Sequence, residues 1–259
     1  MTGVDLTRRR ELGELVEDTW SLFTSNLGLF LPIAIAIIVP VDLLVLGVGY
    51  GQLWESYDSS PPADEQVMAF VLRYLVFQPL VTAAAIAAVM ALGRGERPTP
   101  SWSIARGMER WAAVLGVVLL TALVVVVGLI CLIVPGIFLG VALYFSAQAV
   151  VAEDRSPVDA LGRSRELVRG QWWRVFGIGI VFSVMIGVVT ALITAGLEVG
   201  ADAADSQALA LLGSMIGDVL TIAFTALAAT LVFFDLRVRQ EGTPPPPRWA
   251  PPGLEAPGR

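Results

Sequence analysis

Six long stretches of this chain, residues 27–50, 67–92, 112–134, 136–151, 175–197 and 208–234, carry only three charges between them. A bilayer core about 30 Å thick is crossed by roughly 20 apolar residues in a helix, and in lipid only a helix or a closed barrel satisfies its own backbone. The pattern therefore predicts an all-α fold: a polytopic membrane helical bundle of six transmembrane helices with cytoplasmic amphipathic helices. Composition agrees, because 56% of the residues are apolar and 15% charged, against roughly 45–50% and 25% in soluble domains. The first apolar stretch follows 26 polar and amphipathic residues and shows no cleavage signature, so it is expected to remain as a span.

Orientation follows from the arginines, which supply every positive side chain. Arg8, Arg9 and Arg10 precede span one. Arg94, Arg97, Arg106 and Arg110 lie between spans two and three, and Arg155, Arg163, Arg165, Arg169 and Arg174 between spans four and five. Arg237, Arg239, Arg248 and Arg259 follow span six. The alternate connections hold no arginine and carry Glu55, Asp58, Asp64, Glu65, Glu198, Asp202 and Asp205. Cytoplasmic flanks retain positive charge, so both termini are expected in the cytoplasm. Trp111, Trp172 and Trp173 sit where an interfacial aromatic belt belongs. Arginine without lysine or histidine, beside abundant Ala, Gly and Val, points to a bacterial plasma membrane.

Three organisational segments are expected: 1–26 as a cytoplasmic segment with an amphipathic helix, 27–242 as the membrane domain, and 243–259 as a Pro-rich, disordered cytoplasmic tail. Leu12, Leu15, Val16, Thr19 and Phe23 make one stripe at helical spacing, opposite Glu14, Glu17, Asp18 and Ser21. Those acids are expected to meet Arg106, Arg163 or Arg169. Ser101 to Arg110 reads as a second interfacial helix. A third starts at Ser156-Pro157-Val158-Asp159, with a capping serine and a first-turn proline, and is expected to present Val158, Leu161, Val168 and Trp172 on one face. Pro135-Gly136 reads as the outer turn between spans three and four. Gly136 with Gly140, and Gly213 with Gly217, are spaced for close helix approach, within the chain or between copies.

The chemistry open to the chain is narrow. With no histidine there is no His base and no His-ligated metal, and the single cysteine, Cys131, excludes a disulfide framework. No cofactor and no metal are expected, and no catalytic residue is assigned. Charges inside spans are costly, about 2.5–3.5 kcal/mol on insertion scales, so Asp42, Arg73 and Asp218 are the intramembrane candidates. Asp42 and Arg73 match in depth below the outer surface and read either as a structural ion pair or as transport groups.

Glu11-Leu12-Gly13-Glu14, Pro135-Gly136-Ile137-Phe138 with Ala152-Glu153-Asp154-Arg155-Ser156-Pro157 and Gly162-Arg163-Ser164, and Phe233-Phe234-Asp235-Leu236-Arg237-Val238-Arg239 together form a pattern. It resembles the membrane domain of the glycerophosphoryl diester phosphodiesterase family, over about residues 10 to 242. The resemblance implies a multi-span bacterial membrane module and singles out Glu153, Arg163, Ser164, Asp235, Arg237 and Arg239 as interface motifs. It does not imply the phosphodiesterase activity, which in that family belongs to a separate domain using histidine. The expected role is thus a non-enzymatic membrane protein that supports another membrane or envelope component, with transport of a small solute or lipid as the alternative. Expected partners are the bilayer and a further membrane protein, not nucleic acid; the oligomeric state is unknown from sequence.

Overall fold

The computed structural model describes residues 5–48, 67, 71–203 and 207–242, and every element among them is helical. The tail 243–259, the connection at 51–66 and the side chains of Asp42 and Arg73 lie outside the described residues.

Helix α1 (Leu12–Ser25) starts where the Glu14 carboxylate accepts the Glu11 amide at 2.9 Å. It ends at the buried Asn26, whose side chain donates to the Leu22 carbonyl at 2.9 Å while its own carbonyl accepts from Leu29 and Phe30. One residue thus closes α1 and opens α2 (Leu27–Val48), and the two helices bend by 76°. A π-helical segment (Val71–Phe77) leads into α3 (Gln78–Gly93). The Val76 carbonyl at that junction accepts Trp111 Nε1 at 3.0 Å.

Helix α4 (Pro100–Cys131) runs unbroken for 32 residues from a Thr99 cap. The expected second interfacial helix, Ser101 to Arg110, is therefore its first turns rather than a separate element, because nothing between Ser101 and Val114 interrupts helical hydrogen bonding. The outer turn also differs from expectation. Leu132, extended at φ −163°, makes the break, and Pro135-Gly136 belong to the first turn of α5 (Ile133–Ala142). There a proline loses no hydrogen bond. Gly136 instead serves the crossing: a Cβ on it would collide with the Leu129 side chain and stand 2.7 Å from the Leu129 amide nitrogen. Gly140, the other member of that pair, meets nothing nearer than 3.9 Å.

The chain continues through a short break into α6 (Ser146–Ala152), then α7 (Pro157–Val168), α8 (Trp172–Ala203) and α9 (Gln207–Glu241). Gly213 and Gly217 face Leu197 and Thr194 of α8, so this pair is used within the chain.

Five helical stretches are long and apolar enough to cross a membrane, and the bent α1–α2 pair makes a sixth candidate. Helix α9 is the hub. Its apolar window is 83% buried, against 11% for α4 and 17% for α8. Phe224 of α9 is fully buried and packs edge-on to Phe23 and Phe182. The outer helices turn Leu123, Ile130, Val188 and Leu192 outward, a surface suited to lipid. Where helices meet, small residues set the distance: Gly107 of α4 lies so close to Ala84 of α3 that a Cβ would stand 2.7 Å from its nitrogen.

Candidate functional site

The arginine-rich segments, separated along the sequence, converge at one end of the bundle. Asp235, six residues before the end of α9, has no exposed surface. Its carboxylate accepts the Arg10 backbone amide at 2.8 Å, Arg239 Nε at 2.9 Å and Arg174 Nη2 at 3.1 Å. The Arg239 pairing follows from helical geometry, four residues apart; the other two require the N-terminal arm and α8 to meet at α9. Arg10 is itself 1% exposed. Its Nε donates to Asp18 of α1 at 2.7 Å, its Nη2 to the Asp5 carbonyl at 2.5 Å, and its own carbonyl accepts Arg174 at 2.7 Å and Arg239. The arm from Asp5 to Glu11 is thus strapped across the end of the last helix. From Asp5 onward the N-terminal segment packs onto the helix bundle.

A second cluster centres on Glu153, just past α6. It accepts Arg163 Nε at 2.8 Å and Nη2 at 2.9 Å, and Arg155 Nε at 2.8 Å, with Arg237 Nε at 3.6 Å. Arg163 also binds Glu241, and Arg237 Nε donates to Glu241 at 3.2 Å. Burial alone would raise the Glu153 carboxyl, but the hydrogen bonds from Arg163 and Arg155 and the charges of Arg163 and Arg237 hold it below the usual glutamate value. For Arg163 burial likewise opposes the charge, and its bonds to Glu153 and Glu241 outweigh it, so its pKa is raised.

Ser164 sits on the same face of α7 and acts on the broken span. Its hydroxyl donates to the Ala142 carbonyl at 2.8 Å and accepts the Phe145 amide at 3.1 Å. These are the backbone groups released where α5 gives way to α6, and buried groups left without partners would cost about 1–3 kcal/mol each. The buried face of α7 is accordingly Ala160, Arg163, Ser164, Leu167 and Val168. Of the expected apolar face, Val168 is buried and Leu161 and Trp172 pack against the core, whereas Val158 is exposed. A guanidinium and a hydroxyl, Arg163 and Ser164, join that face at core positions, which the hydrophobic pattern alone does not reveal.

The acids of α1 also differ from expectation. Asp18 binds Arg10 and Arg8 of its own arm, and Glu14 lies 3.7 Å from Arg8. Arg106 binds Glu109 instead, and Arg163 is taken by Glu153 and Glu241. Local chain connectivity supplies Arg8 and Arg10 at lower entropic cost than distant loops.

Of the intramembrane candidates, Asp218 is half-buried in α9. Asp42 falls on α2 and Arg73 on the π segment, two elements that pack together. Arg10 and Arg174 were read from sequence only as flanking charges. Nothing distinguishes Arg10 from Arg8 and Arg9 until the tertiary contact is seen.

A family described as Domain of unknown function (DUF7847) matches residues 65–236, more than half of the chain. The chain belongs to this family. Comparison with curated proteins and with solved structures finds no match. The DUF7847 stretch contains Glu153, Arg163, Ser164, Arg174 and Asp235, and excludes the N-terminal strap with Arg10 and the final Arg237, Arg239 and Glu241. Nothing in the match links DUF7847 to the phosphodiesterase membrane domain that the motifs resemble. Among the described residues, no three acidic or cysteine side chains converge as metal ligands around the DUF7847 helices.

Proposed function

We propose that this chain is a non-enzymatic integral membrane protein of a bacterial plasma membrane, with both termini cytoplasmic, that supports or organises another membrane or envelope component. The observation that carries the reading is the dense pairing of charge around Asp235 and Glu153 at the arginine-rich end. Asp235 and Glu153 each face at least three donors. The Glu153 carboxylate, held below the usual glutamate value by its arginines, accepts hydrogen bonds but has no proton to give at neutral pH. Such a network makes a rigid surface of fixed shape, and rigid elements with locked side chains suit docking. The motif resemblance to the glycerophosphoryl diester phosphodiesterase membrane domain supports a membrane module without that family's catalytic domain. The position of Asp218, half-buried in the central helix, favours the second reading, a transporter that uses Asp42, Arg73 and Asp218.

Crosslinking in the native membrane followed by purification separates the two. Docking predicts a discrete membrane protein attached to the intact chain and lost when Glu153→Gln and Arg163→Gln disrupt the surface. Solute flux in proteoliposomes that vanishes in Asp218→Asn would refute docking in favour of transport.

A further inference from the structure

The arginines of this end are not all spent. Among the described residues, the guanidinium groups of Arg165 and Arg169 have no ion-pair or hydrogen-bond partner, although Arg163, Arg155, Arg174, Arg237 and Arg239 all do. They lie one turn apart at the end of α7, where side chains four residues apart are neighbours. Both line a crevice of about 500 Å³ between α5, α7 and the start of α8, together with Phe138, Glu166 and Trp172. Glu166 leans toward Arg163, at 3.7 Å, so the two free cations are in excess. The carbonyls at the end of α7, which would repel an anion, are partly covered: Gln240 Nε2 donates to Arg169 at 2.9 Å and to Leu167 at 3.4 Å.

The walls of this crevice continue into an apolar surface. Trp172 stacks between Phe138, at 5.7 Å, and Phe176, at 5.1 Å. Beyond that stack a second cleft of about 390 Å³ opens between α5, α8 and α9, lined by Gly140, Tyr144, Val175, Phe176 and Val232 among others. Val158 of α7 and Trp173 at the start of α8, 69% and 78% exposed, add outward apolar surface on the same two helices. Paired cations at the mouth, aromatic rings beside them and an apolar cleft beyond fit an amphiphile with an anionic head.

We propose that this crevice holds the phosphate-bearing headgroup of an anionic glycerophospholipid between Arg165 and Arg169, with an acyl chain along the Phe138–Trp172–Phe176 wall into the α5–α8 cleft. A phosphodiester presents two charged oxygens to two guanidinium groups, the geometry at which arginine excels. A zwitterionic lipid brings its own cation to the same site and loses the advantage. The inference is independent of whether the protein docks a partner or transports a solute.

The test uses full-length protein in detergent, titrated with phosphatidylglycerol, with bound lipid counted by native mass spectrometry. At roughly 1 kcal/mol per basic side chain near an anionic lipid, each of Arg165→Gln and Arg169→Gln should weaken the first bound lipid about fivefold, and the double variant about 25-fold. Arg97→Gln, which removes an equally exposed charge from another cytoplasmic loop, should bind as wild type does. Both substituted side chains are exposed, so the variants should unfold at the wild-type temperature in detergent. The single variants keep the test readable should the double variant fail to fold. Equal weakening by Arg97→Gln, phosphatidylcholine binding as tightly as phosphatidylglycerol, or displacement of the lipid by inorganic phosphate would each overturn the assignment.

Discussion

Replacing Asp235 with Asn tests whether the strap at the end of α9 is structural. The wild-type carboxylate, with no exposed surface, accepts from the Arg10 amide, Arg239 Nε and Arg174 Nη2. Asparagine keeps one oxygen for the Arg10 amide and turns an NH2 group toward the two guanidinium donors. Two hydrogen bonds between charged groups are lost, each worth about 1.5–3 kcal/mol. Arg174 and Arg239 are 20% and 19% exposed, so water recovers part of their solvation. The loss should therefore fall near the lower end, about 3 kcal/mol, consistent with the roughly 3–5 kcal/mol for breaking a buried pair. Reversible unfolding of the full chain in mixed micelles measures this. Limited trypsin digestion provides a second reading, because releasing the strap exposes Arg8, Arg9 and Arg10 to cleavage. Arg106→Gln is the control: its pair with Glu109 is exposed on both sides and should cost under about 1 kcal/mol. Stability of Asp235→Asn within about 0.5 kcal/mol of wild type, with unchanged resistance to trypsin, would refute an anchoring role.

Gly136→Ala should destabilise the α4–α5 hairpin by roughly 1–3 kcal/mol, the usual cost of overpacking, because its Cβ has only the Leu129 backbone and side chain to meet. Gly140→Ala should be neutral or slightly stabilising, and the same micelle unfolding assay compares the two. Stability should also depend on pH through Glu153. Its folded-state pKa lies below the usual 4.5, so its contribution is complete above that value and is lost as pH falls through the lower folded pKa. The difference in melting temperature between wild type and Glu153→Gln should then be constant from pH 7 to 6 and shrink below about pH 4.5. A difference that grows on acidification would contradict the pairing.

Much of the fold was legible because membrane insertion writes itself in runs of apolar residues that need no tertiary information. The helical class, the cap at Ser156, the separate amphipathic helices α1 and α7, and the clustering of arginine in alternate connections all follow from local composition and spacing. What only the tertiary structure decided are the matters that depend on which surfaces meet. Hydropathy ranks α4 above α9 as a span, yet α9 takes the centre and α4 the rim, because in lipid apolarity does not drive helices together and close packing decides. Arg10 and Arg163 become core residues because folding sets Asp18 against the first and Glu153 and Glu241 against the second, and Arg165 and Arg169, two and six residues beyond Arg163, stay open because no carboxylate reaches them. Identical side chains in one charged stretch thus take opposite roles, since charge pairing is set by distance in space and sequence composition records only distance along the chain.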